Sequence, residues 1–432
     1  MATPYVSQHS RTQQSGTADW RDDLDMLRHT DKGDLLVLGD GGESPEFQTD
    51  SIYKRNHGIA QLARAIVDAA YTVLVPQKPM TREELRQVLE KHGLQEARTW
   101  IYGSVLPRAL LNRSLKIQVH LPLPGDRTPD WFDVRFAEKL DPVTLPGYSC
   151  FTTEKLDNAS MLLLDEYEDI RLKDPGAASG EEQTVIRHRA GLDRFLDEMG
   201  EKYQDQGGFE SYLNEFGYVV EANLRELESW SYTLTSTPGH SFTSIGRLVE
   251  STVEQPDGSN LIEYGGTSVV TILGRSQRFG EIDLPPQIAI DDPLRVGEDQ
   301  LSLTVDDAVI RVAERYIEAL NDWEQDGIVR TRANVDVLKG TLVHRNGRQE
   351  GVVAAVEDSA RAGGASPAEL LAARHLLASN DCDYVVISSR HVFDADDCAA
   401  YRKHVGQSAN GLILWDGVDA SWGDKYVMFC TF

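Results

Sequence analysis

Apolar and polar positions alternate along this chain with two periods, and each period predicts its own elements. Thr267-Ser-Val-Val-Thr-Ile-Leu273 is β-branched and apolar throughout, a buried strand closed by Gly274. Ile282 to Ile290 follows, with Pro285 and Pro286 suiting a strand edge or bend. Thr304 then precedes Asp307 at the spacing of a capping box. Val305, Val309, Val312, Tyr316, Leu320 and Trp323 form one stripe at helical period, which predicts a long helix over 304–326 with Gly327 as its stop.

Upstream, Ile59, Leu62, Ile66, Val67, Ala70 and Tyr71 share one helical face, predicting a helix over 58–74. A second helix starts at Thr81, with Glu84 completing a capping box, and ends near Gly93. Leu115-Lys-Ile-Gln-Val-His-Leu121 alternates and predicts a half-buried strand. The proline-rich stretch 122–146 reads as loop with a short strand at 131–136. Residues 157–235 read as mainly helical, with a break at Gly176 to Gly180 and another at Pro238-Gly239. Further on, Ser366-Pro-Ala-Glu369 opens a helix carrying Leu370, Leu371 and Leu377. Strands are predicted at 384–388, 411–415 and 425–432.

Composition adds two constraints. The net charge is −26, from 69 acidic and 43 basic residues, and only 12 of the basic residues are lysines. A whole-chain acidic excess with few lysines suits molar salt, where the Debye length falls to about 3 Å. It argues against a duplex-wrapping DNA binder, which needs a basic footprint. No apolar run reaches the ~20 residues of a membrane span. Cys150, Cys382, Cys398 and Cys430 are scattered, without a Cys-x-x-Cys pair, so no zinc or disulfide framework is expected. Residues 1–50 are polar with few apolar anchors and read as an extended N-terminal arm.

A search for catalytic chemistry leaves no constellation standing. Gly103-Ser104 before a strand suggests a nucleotidyltransferase start, but Lys116, Gln118 and His120 stand where that chemistry needs carboxylates. Glu357-Asp358 faintly resembles the carboxylates of restriction-type, metal-dependent nucleases. Ser359 stands where their lysine belongs, and Arg361 is a poor substitute. Asp394-Ala-Asp-Asp397 lacks the glycine turn and distal glutamate of a calcium loop. His391 beside Ser388 and Ser389 has no orienting acid. Gly274 to Gly280 lacks the Gly-Lys-Ser/Thr ending of a phosphate loop. The expectation is a protein that is no enzyme, with no catalytic residue, cofactor or metal.

The order of elements from Gly265 to Gly327 resembles the route into the spine helix of the shell fold of tailed-virus major capsid proteins and encapsulins. Gly265 to Pro293 is similar to the strands returning from that family's E-loop, and Thr304 to Gln325 to its spine. Ala368 to Arg402 resembles part of its axial domain, and Trp422 to Phe429 its Gly-Asp strand near the C-terminus. The resemblance implies an α+β capsid fold: an arm over 1–50, a helical and strand-containing region over 51–237, and a core over 238–432. Within that core, the spine is 304–326 and the mixed-sheet axial region 328–432. The helices between Val185 and Leu227 are a rival spine. The implied function is a structural subunit of an icosahedral virion shell, assembled in the cytoplasm of a halophilic host. Its implied partners are copies of itself in hexamers and pentamers, decoration or portal proteins, and enclosed double-stranded DNA, with no membrane. An encapsulin shell, another virion component and a restriction-type nuclease are the alternatives.

Overall fold

The computed structural model describes residues 35–38, 51–76, 80–106, 116–175, 183–254, 260–275, 302–323, 329–359, 361–378, 382–392, 411–418 and 425–431, with a few positions between 279 and 289. Four bodies of structure follow one another along the chain.

The N-terminal unit holds β1 (Leu35–Leu38), α1 (Ser51–Ala65), β2 (Thr72–Pro76), β3 (Met80–Thr81), α2 (Arg82–His92), β4 (Thr99–Ile101) and β5 (Ser104–Leu106). β1, β2 and β4 form a parallel sheet. α2 is built as its sequence dictates. Glu84 N donates to Thr81 Oγ1 at 3.1 Å, and Thr81 N donates to Glu84 Oε2 at 2.6 Å. Gly93 ends the helix at φ 64°, a left-handed conformation that suits glycine. The helix expected over 58–74 stops at Ala65, because Thr72–Pro76 is drawn into the parallel sheet. Of the arm expected over 1–50, only Leu35–Leu38 falls within the described residues.

The connecting segment departs from its pattern. Instead of a strand over 115–121 there is a 3-10 turn at Ile117–Val119, and instead of a strand over 131–136 there is α3 (Val134–Leu140). Ile117, Gln118, Val119 and His120 are all buried, so the alternation that suggested one wet face is filled by tertiary contacts on both sides.

A small α+β unit comes next: β6 (Gly147–Cys150), α4 (Thr153–Glu166), β7 (Ile170–Lys173), β8 (Gln183–Ile186), α5 (Arg189–Lys202), α6 (Phe209–Phe216) and β9 (Tyr218–Ala222). The region read as mainly helical thus has an antiparallel sheet, ordered β6-β9-β7-β8, under its helices. Leu156, Leu163, Leu172, Leu192, Phe195, Leu213 and Val220 pack as one core between the layers.

The largest body begins with β10 (Leu224–Thr237), β11 (His240–Glu254) and β12 (Asn260–Leu273), with Pro238-Gly239 as the first turn. β13 (Ile288–Ala289) pairs with β14 (Ser302–Leu303). Then come α7 (Asp307–Trp323), β15 (Val329–Arg330), β16 (Arg332–Val343), β17 (Gln349–Asp358), α8 (Ser366–Ala378), β18 (Tyr384–Val392), β19 (Gly411–Val418) and β20 (Lys425–Thr431). Eight of these strands form one antiparallel sheet, in the order β17-β16-β10-β11-β12-β18-β20-β19.

α7 lies across one face of this sheet. Val309, Ala313, Tyr316, Ile317 and Leu320 pack on Trp230, Tyr232, Val270, Val335 and Val337. Each large side chain so buried stabilises the fold by about 1.5–3 kcal/mol. α8 and α1 cover part of the opposite face, with Phe242, Val269, Val385 and Ile387 beneath them.

This arrangement corrects the capsid expectation. The strand at 267–273 is part of β12, near the middle of the large sheet, paired on both sides by β11 and β18. It does not return from an extended loop. The helix expected as a spine is an ordinary sheet-covering helix, and its N-cap is Asp306, which accepts from Ala308 N at 2.8 Å.

Candidate active site

Five separate pieces of chain bring their charged side chains together between the small sheet and one edge of the large one. In the small sheet β7 and β9 run antiparallel, with Arg171 opposite Glu221 and Lys173 opposite Val219. Leu172, Val220 and Ala222 point into the helix-covered core. Alternation therefore places Arg171, Lys173 and Glu221 on the other face, away from those helices. Lys173 Nζ lies 2.5 Å from Glu221 Oε1. The turn at Ile117–Val119 supplies His120, whose Nε2 lies 3.1 Å from Glu221 Oε2. The imidazole comes this close because Gly147 lies beneath it. A Cβ at Gly147 would fall 2.8 Å from the ring.

The large sheet contributes two carboxylates. Asp336 on β16 stands directly opposite Glu357 on β17, and both are half-buried. Like charges facing each other across a ladder repel. Burial and the Glu357 charge together push the Asp336 carboxyl well up. Glu357 is held below the usual range: burial opposes this, but Lys116, with Lys173 behind it, outweighs the burial. Lys116 Nζ lies 2.8 Å from Glu357 Oε2. Glu221 is likewise lowered, to about 2, because Lys173 and His120 outweigh its burial. The result is a continuous run of ionisable side chains from His120 through Glu221 and Lys173 to Glu357, Lys116 and Asp336.

Sequence reasoning met several of these residues and misread them. It paired Glu357 with its neighbour Asp358, but adjacent strand residues face opposite ways. Asp358 is buried against Arg330, with Nη1 to Oδ2 at 2.5 Å. The carboxylate beside Glu357 is Asp336, and the missing lysine arrives from Lys116 and Lys173, far away in the chain. Lys116 and His120 had counted against chemistry because they sat on the wrong strand of an imagined site. Lys173 and Glu221 went unnoticed. The available signal was a charged residue on each of two short β patterns, the first just before the Gly176–Gly180 break.

The other sequence candidates remain outside this cluster. Ser388 Oγ bonds Ser268 Oγ at 2.8 Å, and Ser389 Oγ donates to Thr267 O at 3.4 Å, so both serines serve the sheet. Ser104 is fully buried. Asp394, Asp396 and Asp397 lie outside the described residues. An open groove of about 520 Å³ lies instead between α4 and the β16–β17 turn, lined by Leu162, Asp165, Glu166, His344, Arg345 and Arg348. Arg348 there is held by His344 at 2.6 Å and Glu350 at 3.0 Å. The groove contains none of the clustered lysines and carboxylates, so the charge cluster is the candidate site.

Among the described residues no three His, Cys, Asp or Glu side chains gather as a self-sufficient metal cage. The Asp336–Glu357 pair is a different donor set: two hard oxygen ligands at a half-open edge. Magnesium is commonly held in this way, by one or two carboxylates with phosphate oxygens completing its shell. The residues present fit that ion.

Solved structures with a similar course of chain include biotin carboxylase from Campylobacter jejuni (TM-score 0.44, 8% identity, 92% of this chain and 81% of that one). Others are N5-carboxyaminoimidazole synthetase from Staphylococcus aureus (0.41, 12%, 92% and 92%) and D-alanine–D-alanine ligase from Bacillus anthracis (0.36, 12%, 76% and 85%). These are ATP-grasp enzymes rather than capsid proteins. These comparisons run against the expectations of a capsid fold, a shell subunit, a virion location and a protein without catalysis, and against the encapsulin and nuclease alternatives. No curated protein matches the sequence. A family model described as "Protein of unknown function (DUF3182)" matches residues 54–425, and the chain belongs to that family.

Proposed function

We propose that this protein is a magnesium- and ATP-dependent ligase that grips the nucleotide triphosphate between its small and large sheets. The observation that carries this reading is the opposition of Lys173 and Lys116 to the Asp336–Glu357 pair. Without a nucleotide, the lysines act as internal counter-ions for buried carboxylates, which would otherwise be costly to desolvate. A triphosphate with its divalent cation offers each group a stronger partner. Asp336 and Glu357 would hold the cation, and Lys173 and Lys116 would face the phosphate oxygens. The exchange would pair the Asp336 and Glu357 carboxylates and the lysines with opposite charge, and would leave His120 as the partner of Glu221. Bound magnesium would supply charge neutralisation on the transferring phosphoryl group.

The reaction class is transfer of the γ-phosphoryl group to a carboxylate or carbonate oxygen, releasing ADP. A nucleophile then displaces phosphate from the activated carbonyl carbon. Lys173 and Lys116 orient the phosphates and oppose their charge, which is most of what protein groups contribute in phosphoryl transfer. The fold similarity to carboxylases and ligases agrees with this class.

Calorimetric titration with ATP, with and without magnesium, tests the reading. Wild-type protein should bind ATP with magnesium-dependent affinity. Asp336→Asn and Glu357→Gln should remove the magnesium dependence, while Lys173→Met weakens binding in either condition. Absence of magnesium-dependent nucleotide binding by folded wild-type protein would sink the proposal.

A further inference from the structure

We propose that the buried ion pair Arg332–Glu369 is a positioning device for the carboxylate Glu357, acting through the backbone that follows it. This rests on the nucleotide-binding reading above. Arg332 is fully buried and lies on the same face of β16 as Asn334 and Asp336. Its Nε and Nη2 donate to the two oxygens of Glu369, each at 3.1 Å. Its Nη1 donates to Ser359 O at 3.2 Å and to Arg361 O at 2.7 Å. Those carbonyls belong to the residues that leave β17 just after Glu357.

Further bonds fix the same corner. Ser359 N donates to Asn334 O at 2.7 Å. Asn334 Nδ2 donates to Ser231 Oγ at 2.6 Å and to Thr233 Oγ1 at 2.9 Å. Thr233 Oγ1 donates to Glu369 Oε1 at 2.7 Å. The N-terminal unit reaches in as well: the Tyr102 ring lies 5.9 Å from the guanidinium carbon of Arg332. The exit of β17 is thus tied to β16, β10, α8 and the residue just after β4 by a single guanidinium and its partners.

Two considerations make this a positioning role rather than a binding or purely stabilising one. Four of the five guanidinium N–H groups are already spent on protein acceptors, so Arg332 has little left to offer a ligand. A buried ion pair is also often replaceable by apolar side chains of similar size at no loss of stability. What the replacement loses is the hold on Ser359 and Arg361. Outer partners that orient a metal ligand are typically worth 10–100-fold in metal affinity.

The test is Mn2+ binding, followed by its electron spin resonance in the presence of saturating non-hydrolysable ATP analogue. The double variant Arg332→Met/Glu369→Leu should unfold at a temperature close to wild type and bind metal-free analogue within about threefold, since Lys116 and Lys173 are untouched. Its Mn2+ affinity should fall by about 10–100-fold. Arg332→Lys keeps the charge opposite Glu369 but cannot reach both carbonyls, and should fold with a similar loss. Wild-type Mn2+ affinity in either folded variant overturns the positioning role while leaving the nucleotide reading intact. Failure of wild-type protein to bind Mn2+ with the analogue overturns both.

Discussion

Replacing Lys173 with methionine should destabilise the protein by roughly 3 kcal/mol at neutral pH, with a loss that depends on acid in a defined way. In the folded protein Glu221 is almost fully buried and has Lys173 Nζ at 2.5 Å. Its pKa falls from 4.5 to about 2 because Lys173 and His120 outweigh burial. That difference corresponds to roughly 3 kcal/mol favouring the ionised form. Because the folded value is depressed, this stability is present in full above pH 4.5 and is lost as pH falls from there towards 2. Lys173→Met leaves the carboxylate buried with only His120 beside it, the expensive way to break a buried pair. Lys173→Met/Glu221→Leu removes both charges and should recover most of the loss. Urea unfolding at pH 7 and pH 3 of wild type, Lys173→Met, Glu221→Gln and the double variant reads this out. Wild type should lose stability between the two pH values, and Glu221→Gln should lose less. A Lys173→Met protein as stable as wild type at pH 7, or a Glu221→Gln protein with an unchanged acid profile, would refute the buried pairing on which the site rests.

Three further outcomes are expected. Gly147→Ala should cost about 1–3 kcal/mol and disturb the site, since its Cβ would meet both the His120 ring and Val220 O at 2.8 Å; thermal melts with ATP titration would show it. Tyr316→Ala should cost about 3–5 kcal/mol in urea unfolding, because the ring is fully buried under α7 against the large sheet. Stability should rise between 0.1 M and molar salt as the −26 net charge is screened, and a melting temperature that falls over that range would contradict the charge argument.

Much of the local architecture was legible in the chain. The Thr81–Glu84 capping box, the Gly93 stop, the apolar stripe of α7 and the strand at 267–273 are where their patterns place them, because each depends on neighbours within a few residues or on one dominant buried face. Segments decided by distant partners were misread. Thr72–Pro76 continues a helical stripe, yet it is a strand because β1 and β4 flank it. The alternation at 115–121 suggests a strand, yet the backbone turns because Gln118 and His120 are buried in polar contacts of their own.

The candidate site shows the same division more sharply. Its residue types are all visible in the sequence, but their meaning lies in pairing across five separate pieces of chain. Glu357 waited for a lysine two positions along, and the lysine stands instead on a buried turn 2.8 Å away. Local sequence determined the helices and strands whose pattern depends on near neighbours, such as α2, α7 and the strand at 267–273, since backbone propensity and capping act over short range. Tertiary structure alone decided which charges meet, because Asp336, Glu357, Lys116, Lys173 and Glu221 become neighbours only when sheet registers and layer packing are set, and the energy of a buried charge depends on that proximity rather than on its place in the chain.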